Sequence, residues 1–334
     1  METTSDATTM KVGPSDLLRI ADLDSTQFDY LLDLAKKMKG EPIAWRDVFR
    51  GSTIVTVFEK PSTRTRVSMA AAAARLGLAP LALRPDELQL GRGEPISDTA
   101  RVLASFVAAI AIRTFAQSEL EEVATYSDVP VINALSDLHH PVQALADLLT
   151  VRERFGSLAG RRLAYVGDGN DNVVHSLLEA GALTGLDVTV GCPAGYEPNA
   201  DILLAAQLTA KASGATLSVV HDPKEAVKGA DAVYADVWVS MGEDAQREQR
   251  LKDLAGYQID GALMALAAPE AVFMHCLPAH RGQEVAAEVI DGPQSAVWQQ
   301  AANRLPTEQA AFYALISGDW THDTGTGTGN GSRH

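Results

Sequence analysis

The segment at positions 58–66, FEKPSTRTR, has the composition of an anion-binding site. It holds three cationic side chains, three hydroxyl groups and a proline, although the whole chain carries a formal net charge of -15. The β-branched run STIVTVFE precedes it, and a helical pattern follows, so Ser62, Thr63, Arg64 and Thr65 are predicted at the first helical turn. Free N–H groups and the helix dipole favour an anion there, and a guanidinium completes a phosphate site. The alternative is a helix cap by Ser62, with Arg64 and Arg66 in solvent.

Three later turns carry further polar side chains that could act on such an anion. In AIAIRTF, Arg113 lies just past a predicted strand. His140 and Gln143 follow the strand VINAL, and Cys276 follows AVFMH. In open α/β sheets, ligands bind outside the carboxyl ends of the strands. A single Arg, His or Cys at such a place is more often structural, but the set predicts a shared site.

The predicted elements that position these residues alternate between strand and helix, which favours mostly parallel sheets covered on both faces. One of them, LALRPDELQL, is predicted as a strand that leads into the polar loop GRGEPISD. The fold predicted is α/β, with two doubly wound domains joined by a helix near residues 144–155. A C-terminal helix, NRLPTEQAAFYALISG, packs back on the first domain. The first domain is predicted at 14–147 together with 303–319, the second at 148–302, and flexible tails at 1–13 and 321–334.

Composition limits the possible partners. The 334 residues are 46% hydrophobic and 21% charged, the pI is about 4.9, and no basic run occurs, which argues against nucleic acid and anionic membrane. The two cysteines, Cys192 and Cys276, suggest neither a disulfide framework nor a zinc site. We find no signal peptide pattern and no apolar stretch of about 18 residues, so a cytoplasmic location is expected.

Four motifs in fixed order carry a family resemblance. Ser-Thr-Arg-Thr-Arg, Arg-Thr, His-Pro-x-Gln and His-Cys-Leu-Pro resemble the aspartate/ornithine carbamoyltransferase family. The resemblance extends from about residue 17 to NRLPTEQAA at 303. DVWVSMGE at 236–243 resembles the amino-acid loop of the ornithine branch. VINALSD and GDGNDNVVHS also resemble ornithine enzymes more than aspartate enzymes.

The resemblance implies a reaction and a mechanism. The δ-amine of ornithine attacks the carbonyl of carbamoyl phosphate, and a tetrahedral intermediate releases phosphate and citrulline, a step of amino-acid metabolism that includes arginine biosynthesis. No cofactor, metal or covalent enzyme intermediate is implied. Catalysis then comes from orientation, which can supply roughly 7 to 11 kcal/mol, and from stabilising negative charge.

The resemblance also assigns roles to individual residues. The catalytic residues it implies are Arg113, His140, Asp236 and Cys276. The carbamoyl-phosphate site it implies consists of Ser62, Thr63, Arg64, Thr65, Gln89, Arg113, His140, Gln143, Cys276, Leu277 and Arg304. The ornithine site it implies consists of Asn172, Asp236, Ser240 and Met241. Since an ammonium cannot attack, we hypothesise that Cys276 and Asp236 together favour the neutral δ-amine.

The family resemblance implies a homotrimer with active sites at subunit interfaces. The loop that holds Gln89 and GRGE would reach into the neighbouring subunit, although an ordinary solvent loop is the alternative. Two positions depart from the family pattern: Val142 stands where many ornithine enzymes have Cys, and Asp171 stands where Asn is common. The latter puts substrate affinity in doubt more than reaction type.

Three other functions are compatible with parts of the sequence. The turn GDGN at 167–170 imitates a dinucleotide-binding motif and so an NAD-dependent dehydrogenase, but Asn172 stands where that motif needs a small residue. A carbamoyltransferase for putrescine, lysine or an acylated ornithine would keep the phosphate site. A non-catalytic binding protein on the same fold is disfavoured, since each matching catalytic position carries the expected side chain.

Overall fold

The computed structural model describes residues 13–60, 62–88, 93–240 and 244–321. Within these ranges the chain forms two parallel sheets, with strand orders β2-β1-β3-β4 and β7-β6-β5-β8-β9. The strands are β1 Thr53–Phe58, β2 Ala79–Leu83, β3 Ala109–Arg113, β4 Val131–Leu135, β5 Arg162–Val166, β6 Asp187–Gly191, β7 Leu217–Val220, β8 Ala232–Ala235 and β9 Val272–His275. Two doubly wound α/β domains were predicted, and this topology confirms them.

Helices separate the strands, as the alternating pattern requires. They are α1 Ser25–Gly40, α2 Thr63–Arg75, α3 Ile96–Ala104, α4 Gln117–Tyr126, α5 Pro141–Phe155, α6 Asn172–Thr184, α7 Ala200–Ser213, α8 Pro223–Val227, α9 Arg247–Asp253, α10 Gly261–Met264, α11 Ala287–Ile290 and α12 Val297–Ser317. Helix α5 joins the two domains, and its first eleven residues are buried. The predicted boundary between residues 147 and 148 therefore falls inside a continuous helix.

The last helix, α12, packs against α1, α2 and α5, so the C-terminal helix returns to the first domain as predicted. It begins at Val297, six residues before the predicted start at 303, and it runs through Pro306. A proline inside a helix costs roughly 3 kcal/mol because one backbone hydrogen bond is lost. Buried side-chain hydrogen bonds of Gln300 and Asn303 to α5 offset this cost.

The segment LALRPDELQL was predicted as one strand, and the structure corrects this. Strand β2 ends at Leu83, and a short 3-10 helix, Pro85–Glu87, follows it. Proline cannot donate to a sheet ladder, which explains the early end. The predicted tails at 1–13 and 321–334 lie outside the described residues, apart from Gly13 and Thr321.

Strand β2 lies at the edge of the first sheet, and most of its side chains are exposed. Parallel sheets are normally covered on both faces, so this exposure is unusual. The first domain also exposes large apolar side chains at Leu81, Val102, Phe106 and Phe115. Phe106 alone is 74% exposed. In the part of the chain that the structure describes, no helix has both the length and the apolar character to cross a bilayer.

Candidate active site

A cleft of about 510 Å³ opens between the carboxyl ends of the two sheets. Each sheet contributes side chains at or just past its strand ends, such as Arg113 at the end of β3 and Asp236 directly after β8. The predicted site residues that line the cleft are Ser62, Thr63, Arg64, Thr65, Arg113, His140, Gln143, Asn172, Asp236, Ser240, Cys276, Leu277 and Arg304. Two others, Gln89 and Met241, lie outside the described residues.

The first turn of α2 forms one wall of the cleft. Ser62 is the N-cap of this helix, and its Oγ accepts a hydrogen bond from the backbone N–H of Thr65 at 3.2 Å. The simple cap interpretation therefore holds for Ser62. It does not hold for Arg64, which lines the cleft. Arg66 turns away from the cleft and lies over the Phe58 ring, with its Cζ 4.9 Å from the ring centroid.

Three guanidinium groups converge on the same space. Burial, together with the positive charges of Arg304 and Arg64, lowers the pKa of Arg113 to about 10. Burial also lowers the pKa of Arg64. Arg113 therefore remains charged at neutral pH, because its pKa lies well above that value. Among the described residues, Nε of Arg113 has no hydrogen-bond partner. Desolvated cations that repel each other favour the binding of a multiply charged anion.

Arg304 returns from α12 to complete this wall. Its Nη2 donates to Thr65 Oγ1 at 2.9 Å, and its Nη1 donates to Gln143 Oε1 at 2.8 Å. Glu308, one helical turn later, accepts from Nε and Nη2 at 3.1 and 2.8 Å. The planar donor fork is thereby held in one orientation, which a flexible lysine ammonium could not reproduce.

His140 lies at the N-terminus of α5 and faces these cations. Burial and the charges of Arg304, Arg113 and Arg64 hold the pKa of its imidazole well below the usual value. The ring is therefore neutral near pH 7 and carries one N–H donor. Its backbone N–H donates to Ser176 Oγ on α6 at 2.8 Å, which fixes the residue against the second domain. A neutral donor can polarise a carbonyl oxygen without carrying charge itself.

The opposite wall carries a carboxyl and a thiol. Asp236 and Cys276 share a hydrogen bond, and burial raises the pKa of both groups. The negative charge of Asp236 raises the pKa of Cys276 further, so the thiol stays protonated near neutral pH. The thiol therefore acts as a donor to Asp236 and not as a base.

His275 lies beside this pair, and the ligand atoms of Asp236, His275 and Cys276 lie within 4.8 Å of one another. Both ring nitrogens of His275 already have partners. Nδ1 accepts from the backbone N–H of Leu277 at 2.8 Å, and Nε2 lies 3.3 Å from Glu284 Oε1. These contacts fix the imidazole as a structural link, so the donor set fits a metal ion poorly.

The predicted ornithine residues lie where the second domain meets the first. Asn172 begins α6, and its Nδ2 donates to the backbone oxygen of Ser136 in the first domain at 2.9 Å. Ser240 Oγ donates to Asp171 Oδ2 at 3.3 Å, and Asp171 Oδ1 accepts from the Val173 N–H at 2.8 Å. Asp171 thus caps α6 and lines the cleft, so its carboxylate faces any bound amine.

Leu277 was predicted in the carbamoyl-phosphate site, where its backbone oxygen can act as an acceptor. In the structure this oxygen accepts a hydrogen bond from Arg64 Nη2 at 2.6 Å, which joins the two domains. Leu277 has φ of 62°, an uncommon backbone conformation for a residue other than glycine. A carbonyl oxygen has two lone pairs, so it can accept from the guanidinium and from a substrate amide.

Sequence reasoning missed several side chains that line the cleft. They are Lys60, Leu135, Val239, Pro278 and His280, among others. Lys60 was within reach of prediction, because it belongs to FEKPSTRTR; it is buried, with Nζ 4.2 Å from the Phe115 ring centroid. Leu135, Val239 and Pro278 also belong to quoted motifs, VINALSD, DVWVSMGE and His-Cys-Leu-Pro. Their proximity in the cleft, however, depends on how the two domains meet.

The turn at 167–170 has a structural explanation. Asp168 is buried and pairs with Arg250, which also donates to the backbone oxygen of Trp238 at 2.7 Å. A Cβ on Gly169 would lie 2.5 Å from the backbone oxygen of Tyr196, so close packing requires glycine there. These contacts tie the turn to the loop after β8, and they account for its residues without a dinucleotide.

Comparison with known proteins agrees with this geometry. The profile of the aspartate/ornithine carbamoyltransferase carbamoyl-P binding domain matches residues 15–153, and that of the Asp/Orn binding domain matches residues 159–315. The ornithine carbamoyltransferase of Hyperthermus butylicus is 53% identical over 307 residues, which cover 90% of this chain and 97% of that protein.

Solved structures give the same result. The ornithine carbamoyltransferase from Pyrococcus furiosus superimposes with a TM-score of 0.86 at 46% identity, covering 91% of this chain and 97% of that one. The enzyme from Gloeobacter violaceus superimposes with a TM-score of 0.82, also at 46% identity, covering 91% and 99%.

Proposed function

Because the chain belongs to the aspartate/ornithine carbamoyltransferase family, we propose that it transfers the carbamoyl group of carbamoyl phosphate to the δ-amine of L-ornithine, giving L-citrulline and phosphate. One observation carries the proposal: three guanidinium groups, of which those of Arg113 and Arg304 are buried, and a neutral imidazole face a carboxyl–thiol pair across one cleft. Neither an NAD-dependent dehydrogenase nor a carbamoyltransferase for another amine is favoured by the relatives found.

In this proposal the first domain binds carbamoyl phosphate. The phosphate dianion lies on the first turn of α2, between Arg64, Arg113 and Arg304, where helix N–H groups and three cations neutralise it. His140 donates to the carbamoyl oxygen, where negative charge develops in the tetrahedral intermediate. Gln143 orients the carbamoyl group beside it. Ser62, Thr63 and Thr65 supply further donors to the phosphate oxygens.

The second domain then supplies the nucleophile. Asn172 and Ser240, with Met241, hold the amino-acid head of ornithine, and Asp236 accepts a proton from the δ-ammonium. The neutral nitrogen attacks the carbonyl carbon, and the bond from that carbon to the phosphate oxygen breaks. The second nitrogen proton leaves with the phosphate. Burial raises the pKa of Asp236, which makes it a better acceptor for this proton.

A homotrimer with shared active sites is part of the proposal. The exposed side chains of β2 and the apolar residues around it on the first domain support a partner surface there. Gln89 follows the same strand in sequence. A cytoplasmic location is also proposed, and the free thiols of Cys192 and Cys276 are compatible with a reducing compartment.

The test is an acceptor screen. Purified protein is incubated with carbamoyl phosphate and, in parallel, ornithine, putrescine, lysine, N-acetylornithine or aspartate, and ureido product and released phosphate are measured. We expect citrulline and phosphate in equal amounts with ornithine alone. Product with a different amine would reassign the residues of the second domain, and no product with any amine would reject carbamoyl transfer.

A further inference from the structure

A buried carboxyl lies beneath the cleft and does not line it. Asp147 is on α5 and is fully buried. Its Oδ1 accepts from Gln143 Nε2 and from Gln300 Nε2, both at 2.7 Å, and its Oδ2 accepts from the Tyr234 hydroxyl at 3.1 Å. These partners come from α5, α12 and β8, so Asp147 joins the interdomain helix to both domains.

The chemistry of the neighbours fixes how both amides are oriented. Gln143 Oε1 accepts from Arg304 Nη1, and a guanidinium can only donate. Gln300 Oε1 accepts from the backbone N–H of His275 at 2.9 Å, and an amide N–H can only donate. Each amide therefore turns its NH₂ group toward Asp147, where only an acceptor can satisfy both.

The result is a continuous chain of hydrogen bonds between the two sides of the cleft. It begins at Arg304 on the phosphate side and passes through Gln143, Asp147 and Gln300. It ends at the backbone of His275, directly before Cys276 on the amine side. The two sides of the cleft are thus linked by a chain of buried, directly hydrogen-bonded side chains.

Burial of a carboxyl is costly, which makes its presence here informative. Burial raises the pKa of Asp147, hydrogen bonds from Gln300, Gln143 and Tyr234 lower it, and the net pKa is about 7. Well-packed apolar side chains at such a place are often as stable as a charge or more so. A carboxyl fits better with a role in holding polar side chains in a fixed geometry.

We propose that Asp147 is a positioning residue. It fixes the orientation of Gln143 on one side of the cleft and, through Gln300, the position of the strand end before Cys276 on the other side. This inference rests on the proposed function, because its effect is read through the carbamoyl-transfer site. Asp147 acts by keeping the second amide N–H of Gln143 aimed at the carbamoyl group and Arg304 aimed at the phosphate. Without it, both side chains retain their places in the sequence but lose their fixed orientation.

The experiment compares three variants of the full-length protein. Asp147→Leu removes the acceptor at similar volume. Asp147→Asn keeps one carbonyl oxygen for both glutamines and loses only the acceptor for Tyr234. Tyr234→Phe removes the Oδ2 contact and the 3.1 Å contact of the same hydroxyl with Gln300 Nε2, but it leaves both glutamines on Oδ1, so it serves as the control. For each we measure kcat, the KM for both substrates, the thermal midpoint, and the affinity for inorganic phosphate by calorimetry.

We expect Asp147→Leu to lower kcat by about 10-fold or more and to raise both the KM for carbamoyl phosphate and the Kd for phosphate, because hydrogen bonds to a charged group are lost. Asp147→Asn should recover most of this loss, and Tyr234→Phe should stay within about 3-fold of the parent. A purely structural role would lower the thermal midpoint and leave the kinetic constants of the folded protein unchanged.

Two results would overturn the inference: parental kcat and KM in Asp147→Leu, or equal damage in Asp147→Asn and Asp147→Leu. Failure of the proposed function looks different, because the parent itself would then give no citrulline. The phosphate titration further separates failure of this inference from failure of the proposed function. It reports the positions of Gln143 and Arg304 without any acceptor amine.

Discussion

Arg304 Nη2 lies 2.9 Å from Thr65 Oγ1, so the last helix meets the first turn of α2 across 239 residues of sequence. This contact places the Arg304 guanidinium in the wall of the cleft that the first turn of α2 forms. It requires that α12 fold back over the first domain, and Glu308 then holds the guanidinium in place. The cleft is therefore complete only when α12 packs against the first domain.

Arg304→Lys should weaken carbamoyl phosphate binding more than ornithine binding. A lysine ammonium cannot donate to Thr65, Gln143 and the phosphate at once, because it lacks the planar fork. We expect kcat/KM for carbamoyl phosphate to fall by about 10- to 100-fold, the loss of one or two charged hydrogen bonds. Steady-state kinetics with each substrate varied will measure it. Arg281→Lys, in an exposed pair with Asp291, is the control, and equal effects of the two changes would contradict the role of Arg304.

His140 should remain neutral in the folded protein at pH values where a free imidazole is protonated. Its pKa is lowered by burial and by Arg304, Arg113 and Arg64. The unfolded chain binds a proton below about pH 6.5 and the folded chain does not, so this residue makes the free energy of unfolding fall as pH drops below that value.

This pH dependence can be isolated with His140→Gln. Urea unfolding at about pH 7.5 and at about pH 5.5 should show a larger loss of stability in the parent than in the variant. Nuclear magnetic resonance of the ring should show no titration of His140 between about pH 8 and pH 5. A normal titration near pH 6.5 would refute the neutral-donor role.

Cys276→Ala should lower turnover and shift the acid limb of the pH–rate profile upward. The thiol stays protonated and donates to Asp236, and this bond lowers the pKa of that carboxyl. Without it the pKa of Asp236 rises, so less carboxylate is available at a given pH on the acid side. We expect about a 5- to 10-fold loss near pH 7. Cys276→Ser keeps a donor and should retain more activity; an alanine variant with parental turnover and profile would remove the thiol from the mechanism.

Phe106→Glu should dissociate the proposed trimer. Phe106 is 74% exposed on the first domain, which also carries the exposed strand β2. A carboxylate buried in an apolar subunit interface costs several kcal/mol, enough to separate subunits at micromolar concentration. Sedimentation and activity are measured together. Leu208→Glu, 54% exposed on α7 of the second domain, is the control. A fully active monomer would refute shared active sites.

Sequence alone predicted the alternation of strands and helices, and with it the two parallel sheets, because buried β-branched runs and amphipathic helices have distinct periods. It also predicted which turns carry chemistry, since Arg113 and Cys276 follow strands directly. The resemblance added roles that spacing cannot supply, such as those of Asn172 and Arg304. The early end of β2 before Pro85 was missed, and so was the early start of α12, whose first turns are held by buried contacts of Gln300 and Asn303 with α5.

Only the tertiary structure decided how the two domains meet, and therefore which charged groups lie close enough to shift one another's pKa. The lowered pKa of His140 depends first on burial and then on three guanidinium groups from α12, β3 and α2, which are remote in sequence. The position of Asp147 beneath the cleft depends on partners from three elements. Local patterns fix a residue's element and face, whereas pKa shifts and hydrogen-bond chains arise from distances between elements, which the sequence does not state.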